Sequence, residues 1–300
     1  MPRRFYTLDV FADRALAGNP LAVVLDSEGL DATAMQQIAR EFNLSETVFV
    51  LPPDDGRHRA RIRIFTPGLE MPFAGHPTVG TAVLLALLDH DRKPGDYLFG
   101  LEEQIGIVPC AVSLKDGSAY ARFDIPALPT ERGAPAATNL IAEALGLGEH
   151  QIGFENHHPT VFGTGFPYTF VPVRSLEAMG HIRINTSLWT EAFGQEGLGA
   201  AYAYTRQTAQ AGSSFHARMF SPGDGIPEDP ATGSAVAGLT GVIARFDDLA
   251  DGTRHFRIEQ GFEMGRPSLI DLTMTIKGTR LAGASIGGAA VIVSEGSLHV

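Results

Sequence analysis

Three hundred residues exceed the ~100–200 of a typical single domain, and 44% hydrophobic against 19% charged side chains can fill two cores and rules out a disordered chain. The 23 basic and 34 acidic residues leave a net charge of −11, which argues against a general nucleic-acid or anionic-membrane surface while leaving room for a locally positive pocket. The single cysteine, Cys110, excludes an internal disulfide framework, a cysteine-rich metal site and two-thiol racemase chemistry.

Alternation starts at once after the basic Met1-Pro2-Arg3-Arg4, so Phe5–Phe11 reads as a strand and no signal peptide is expected. No run of about 18 apolar residues is present, and the expected compartment is the cytoplasm. Gly18-Asn19-Pro20 is a turn before a second strand, Leu21–Leu25. Asp31 is placed to cap a helix whose apolar residues Met35, Ile38 and Ala39 recur at helical spacing and which should end near Phe42-Asn43. Glu46 stands at the entrance of the next strand, and Arg59–Phe65 alternates basic with apolar residues, as a strand with one solvated face does.

Pro72-Phe73-Ala74-Gly75-His76-Pro77-Thr78-Val79-Gly80-Thr81-Ala82 then turns into an apolar helix, Val83–Leu88, which is hydrophobic all round and should be buried all round. Beyond Pro94-Gly95 come strands at Ile105–Val112 and Tyr120–Asp124, joined through a Lys115-Asp116-Gly117 turn. The proline-rich stretch from Pro126 to Pro135 marks a crossing between domains. The remainder reads as a helix at Asn139–Leu145, strands at Thr169–Val173, Ala201–Thr205 and Phe215–Phe220, and a helix near Leu188–Phe193. After a second turn and helix, strands follow at Phe256–Glu259, Leu269–Ile276 and Ala289–Ser294. Many short strands with few helices argue against a parallel doubly wound sheet.

The second turn, Glu228-Asp229-Pro230-Ala231-Thr232-Gly233-Ser234-Ala235, copies the first as Pro-x-x-Gly-[Thr/Ser]-Ala, with an apolar segment Val236–Arg245 behind it. The strands feeding the two also match, Arg63-Ile64-Phe65-Thr66-Pro67 against Arg218-Met219-Phe220-Ser221-Pro222. One unit is therefore used twice. The fold expected is α+β: two pseudo-symmetric halves, each a curved antiparallel β-barrel around a central helix. Residues 1–125, completed by the C-terminal strand 286–300, form one half and residues 126–285 the other, with a ligand cleft between them.

A helix beginning after a glycine-rich turn offers unpaired N–H groups to an anion such as a carboxylate, and Thr78, Thr81, Thr232 and Ser234 add hydroxyls. His76 and Asp229 take aligned places before the proline, and an imidazole facing a carboxylate can exchange a proton near neutral pH. Taken alone, His76 is more often a structural histidine, Glu46 a strand-end surface acid, and Asp229 and Ser234 ordinary capping residues. No Walker or dinucleotide glycine pattern is present, and no Gly-x-Ser-x-Gly elbow. The adjacent His157-His158 would point to opposite faces of a strand and could not chelate one metal ion. Acid–base chemistry without cofactor or metal is what remains.

Ala17-Gly18-Asn19-Pro20-Leu21-Ala22-Val23, Asn43-Leu44-Ser45-Glu46-Thr47, Phe73-Ala74-Gly75-His76-Pro77-Thr78, Glu228–Ala235 and Gln260-Gly261-Phe262-Glu263-Met264-Gly265-Arg266-Pro267-Ser268 together resemble the phenazine-biosynthesis PhzF-like isomerases. The resemblance spans nearly the whole chain. It implies the diaminopimelate-epimerase-like fold, a homodimer, and cofactor-free isomerisation of a small carboxylate such as trans-2,3-dihydro-3-hydroxyanthranilate. It places the proton-carrying role on Glu46 in a closed site, with His76 and Asp229 holding substrate and assisting proton movement. Gly75, Gly233 and Ser234 would line the carboxylate-binding region. An amino-acid epimerase or a non-catalytic binding protein is the alternative, and Gly163–Tyr168 is the candidate specificity wall.

Overall fold

The computed structural model describes residues 2–194 and 199–300, which divide into two compact units: 1–126 with 287–300, and 127–286. Unit 1 holds β1 (Arg3–Val10), β2 (Asn19–Val24), α1 (Ala32–Phe42), β3 (Glu46–Leu51), β4 (Ala60–Phe65), β5 (Glu70–Met71), α2 (Gly75–Asp89), β6 (Gly95–Glu103), β7 (Gly106–Lys115) and β8 (Ser118–Asp124). Unit 2 holds β9 (Thr130–Glu131), α3 (Thr138–Ala144), β10 (Thr160–Gly163), β11 (Pro167–Pro172), α4 (Leu176–His181), α5 (Thr186–Phe193), β12 (Ala200–Thr205), β13 (Phe215–Ser221), β14 (Ile226–Asp229), α6 (Gly233–Phe246), β15 (Gly252–Gln260) and β16 (Ser268–Lys277). The last strand, β17 (Arg280–Leu298), starts in unit 2 and ends in unit 1.

Unit 1 is a closed barrel. Its ladder runs β1, β2, β3, β4, β6, β7, β8 and returns through β17, which pairs with both β8 and β1. Most pairings are antiparallel. The parallel ones, β2 with β3 and β4 with β6, fall where a helix intervenes in the chain, as a crossover requires. Unit 2 repeats the plan: β11 pairs parallel with β12 and β13 with β15, across α4–α5 and α6, while β12–β13 and β15–β16 are antiparallel. The short β5 and β14 sit beside β4 and β13 in the same way. The fold is α+β, as read from the sequence.

Helix α2 has no polar side to present to water, and its residues from Gly75 to Ala86 are all buried. Burying each of its Val and Leu side chains contributes ~1.5–3 kcal/mol. Burial stops short of the expected end, since Leu88 is exposed where the helix leaves the barrel. By contrast α1 is amphipathic: Met35, Ile38 and Ala39 pack with Val24, Phe49 and Phe65, Asp31 Oδ1 accepts from Ala34 N at 2.8 Å, and Asn43 closes the helix in the left-handed conformation. In unit 2, α3, α4 and α5 build a separate core around Trp189, Phe193 and Phe220. Among the described residues no helix is long and apolar enough to cross a membrane.

The arginine-bearing face of β4 is more ordered than a merely solvated face. Arg59 pairs with Asp89, Arg61 with Asp54 at 3.4 Å and Arg63 with Glu70 at 2.6 Å.

Candidate functional site

The parallel register of β2 and β3 sets Leu21 opposite Glu46, which brings the start of β2, Asn19, to the same end of the barrel as the start of β3. The start of α2 arrives there too. His76 Nδ1 lies 3.4 Å from Glu46 Oε2 and 3.4 Å from Asn19 Nδ2. His76 and Asn19 are buried, and the Glu46 side chain is 15% exposed. Burial holds the His76 imidazole far below its ordinary range, at about 3, against a smaller opposite pull from the Pro20 backbone. At neutral pH the contact is therefore an uncharged imidazole beside a carboxyl group, not a salt bridge.

The position of Asn19 is fixed by the loop before it. Asp9 Oδ2 accepts from Leu16 N at 2.6 Å, and Gly18 has φ +67°, with a Cβ there lying 2.3 Å from the Val10 carbonyl oxygen. Glycine is required by both conformation and space. Sequence reading took Gly18-Asn19-Pro20 as a turn. The signal it carried was an amide-bearing residue opening an otherwise apolar strand.

Helix α2 begins after Ala74, so no N-cap side chain satisfies its first N–H groups. Gly75 is its first residue and buried. Helix α6 begins after Thr232, likewise with no side-chain cap, whereas Asp31, Ser175 and Asn185 cap α1, α4 and α5. Asp229, the buried last residue of β14, accepts from Thr232 Oγ1 at 2.5 Å, and Ser234 Oγ is 2.8 Å from Tyr168 OH. Gly233 is buried at the first position of α6. Gln260 completes this cluster: its Nε2 donates to Asp229 O at 2.8 Å and to Thr232 Oγ1 at 2.9 Å. The sequence pattern marks neither Gln260 nor Asn19 as a site residue, and nothing in it encodes the bond from Tyr168 to Ser234.

In unit 1 the structure brings together Glu46, His76 and Gly75; in unit 2 it brings together Asp229, Gly233 and Ser234. The Gly163–Tyr168 stretch is the β10–β11 hairpin, with Gly163 paired to Pro167. His157 is buried between Tyr204 OH at 2.8 Å and Asp247 Oδ1 at 2.9 Å while His158 is exposed, so the two do not converge. Cys110 is buried in β7, and burial followed by the neighbouring Glu103 pushes its thiol far above the usual range.

A model of the family described as phenazine biosynthesis-like protein matches residues 8–296. The chain belongs to that family. Among its relatives this phenazine biosynthesis-like protein is 52% identical to an uncharacterized isomerase of Mesorhizobium japonicum, over 99% of both chains. It is 37% identical to the trans-2,3-dihydro-3-hydroxyanthranilate isomerase of Pseudomonas aeruginosa, again over 99% of both. Of solved structures, the phenazine biosynthesis protein of the PhzF family from Bacillus anthracis aligns with TM-score 0.89 at 25% identity over the whole of both chains. A hydroxyproline epimerase from Agrobacterium vitis, at 14% identity and TM-score 0.63 over 99% of this chain and 91% of that one, shares the fold. This phenazine biosynthesis-like family member is an isomerase.

Proposed function

We propose that the chain is a cofactor-independent isomerase of a small carboxylate of the trans-2,3-dihydro-3-hydroxyanthranilate type, with Glu46 as the proton carrier. The observation that carries this reading is the buried contact of Glu46 with a neutral His76 at the uncapped start of α2. The full-length relative named for that isomerisation supports the substrate class. Glu46 as carboxylate takes a proton from one carbon, the double bond shifts, and the protonated Glu46 returns the proton to another carbon. No redox partner is needed. His76, too weak a base to intercept the proton, orients the acid and donates a hydrogen bond to substrate. Asp229 positions substrate, and the backbone N–H groups at Gly75 and Gly233 with the hydroxyl of Ser234 bind its carboxylate.

Incubation with trans-2,3-dihydro-3-hydroxyanthranilate in deuterated water, followed by NMR, tests this. The expected result is an isomer with its double bond moved. Deuterium incorporation at a single carbon of racemised proline or hydroxyproline, with the dihydroanthranilate unchanged, would replace the reading with an epimerase. Binding without any carbon exchange would overturn catalysis of this kind.

A further inference from the structure

Glu103, the last residue of β6, is a buried carboxyl group that the proposed reaction does not use. Its Oε1 lies 2.8 Å from Thr78 Oγ1, and Thr78 Oγ1 lies 2.8 Å from the Ala74 carbonyl oxygen. A threonine hydroxyl has one proton, and a carbonyl only accepts. With Glu103 ionised, that single proton serves one of the two contacts and leaves the other as two oxygens 2.8 Å apart with no proton between them; with Glu103 protonated, the acid donates to Thr78 and Thr78 donates to Ala74 O, and both are hydrogen bonds. The other Glu103 oxygen, Oε2, is buried with no hydrogen-bond partner among the described residues, an arrangement tolerable for a neutral acid and very costly for a carboxylate.

The second copy of the unit shows what this place requires. Glu102 and Glu259 identify the correspondence: Glu102 accepts from Asp54 N, Asp55 N and the His58 ring, and Glu259 from Ala209 N, Gln210 N and the His216 ring. The next residue is Glu103 in one unit and Gln260 in the other. Gln260 Nε2 donates to Thr232 Oγ1, which passes its own proton to Asp229 Oδ2. Both units thus place the side chain at the strand end against a threonine hydroxyl of the turn into the central helix, Thr78 one residue after Pro77 and Thr232 two after Pro230, and that hydroxyl in turn meets an acceptor of the same turn.

We propose that Glu103 works in its protonated form as a positioning residue, donating through Thr78 to Ala74 and so fixing the turn that carries Gly75 and His76, as Gln260 does for Asp229 in unit 2. Burial supports this by pushing Glu103 up to about 8, against the pull that the Thr78 hydroxyl exerts when it donates to the carboxylate instead. Of the titratable groups on the packed elements, Cys110 of β7 is coupled to it. Arg59, Arg61 and Arg63 are taken up by Asp89, Asp54 and Glu70, and His76 of α2 faces Glu46 and Asn19.

The effect on activity rests on the isomerisation proposed above; the effect on stability does not. Urea unfolding of the wild type, Glu103→Gln and Glu103→Leu is measured from pH 5 to 9, with isomerisation of trans-2,3-dihydro-3-hydroxyanthranilate as the second readout. Relative to Glu103→Gln, the wild type should lose stability as pH rises from about 4.5 to about 8, because the unfolded state ionises first. Glu103→Gln should keep turnover within about threefold at pH 7 and retain it at pH 9, where the wild type falls about tenfold as the acid ionises. Glu103→Leu, which fills the space without a donor, should lose turnover at all pH values. Coincident pH–stability curves for wild type and Glu103→Gln, or a glutamine variant as impaired as the leucine one, would overturn the proposal. Absence of turnover in every protein would sink the isomerisation reading, and the stability curves would still decide the state of Glu103.

Discussion

Glu46 in unit 1 and Ala200 in unit 2 hold the same register position: Glu46 stands opposite Leu21 across the parallel β2–β3 ladder, and Ala200 opposite Tyr168 across β11–β12. The duplicated unit therefore kept a carboxyl group at this place in one copy and a methyl group in the other. The helix starts retained comparable groups, His76 and Asp229, but the candidate proton carrier has no counterpart. On the proposed reading, the repeat supplies two holding sites and one acid.

That asymmetry makes Glu46→Gln decisive. It preserves shape and hydrogen bonding while removing the titrating oxygen, so isomerisation should fall by on the order of 10²–10⁴-fold. The urea midpoint should stay near that of the wild type, since the side chain is not in a core. Turnover within a few fold of wild type would remove Glu46 from the chemistry.

His76 predicts a specific acid sensitivity. Its folded value, about 3, lies below the ordinary 6.5, so the unfolded chain takes up a proton that the native state refuses. The stability this group contributes is complete above about 6.5 and declines as pH falls towards 3, at up to about 1.4 kcal/mol per pH unit. His76→Asn should flatten the stability curve in that window. Ring nitrogen NMR of the wild type at pH 5 should show a neutral imidazole, and an imidazolium signal there contradicts the burial argument.

What was legible in the sequence followed from local causes. Asp31, the Met35-Ile38-Ala39 spacing and Asn43 bound α1 because a cap, a stripe and a left-handed terminus are all written within a dozen residues. The two helix starts were legible because the chain repeats them. Strand β6 was not, since Leu98 faces outward, 83% exposed, while Glu102 and Glu103 point into hydrogen-bonded burial, inverting the alternation that marks a strand. The last strand is 19 residues long instead of the six expected, because its glycines hide the pattern and its partners, β1 and β8, lie far away in sequence. Among the candidate residues, Glu46 and His76 of unit 1 and Asp229 of unit 2 stand out in motifs. Asn19 meets His76 across 57 residues of chain, a separation that no local pattern encodes.

The loop that delivers Asn19 can be tested without touching Asn19. Gly18→Ala forces a left-handed φ of +67° on a residue whose Cβ meets the Val10 carbonyl at 2.3 Å, whereas Gly29→Ala, at φ +82°, meets nothing within 4 Å. The first should cost about 1–3 kcal/mol or more and the second no more than the backbone strain alone, about 1 kcal/mol. Turnover should drop further in Gly18→Ala than in Gly29→Ala at equal folded fraction. Equal effects in the two variants would mean that the loop does not position Asn19.

Arg218 and Arg63 are matched arginines with unequal burial, and their removal should have unequal consequences. Arg218 Nε and Nη2 donate to the two oxygens of Glu228 at 2.8 and 2.9 Å, its Nη1 donates to the Met179 carbonyl at 2.7 Å, and its side chain is 6% exposed. Arg63 grips Glu70 in the same bidentate way, but at 26% exposure. Arg218→Ala strands a half-buried carboxylate directly before Asp229 and leaves the Met179 carbonyl with the longer bond from Ile182 N, at 3.3 Å, a loss of about 3–5 kcal/mol. Water can replace much of what Arg63 supplies, so Arg63→Ala should lose about 1 kcal/mol. Urea unfolding of both variants at pH 7 gives the comparison, and equal losses would show that burial does not set the strength of the two pairs. Because Glu228 adjoins Asp229, Arg218→Ala should also raise KM in the fraction that remains folded, while Arg63→Ala should leave KM near the wild-type value.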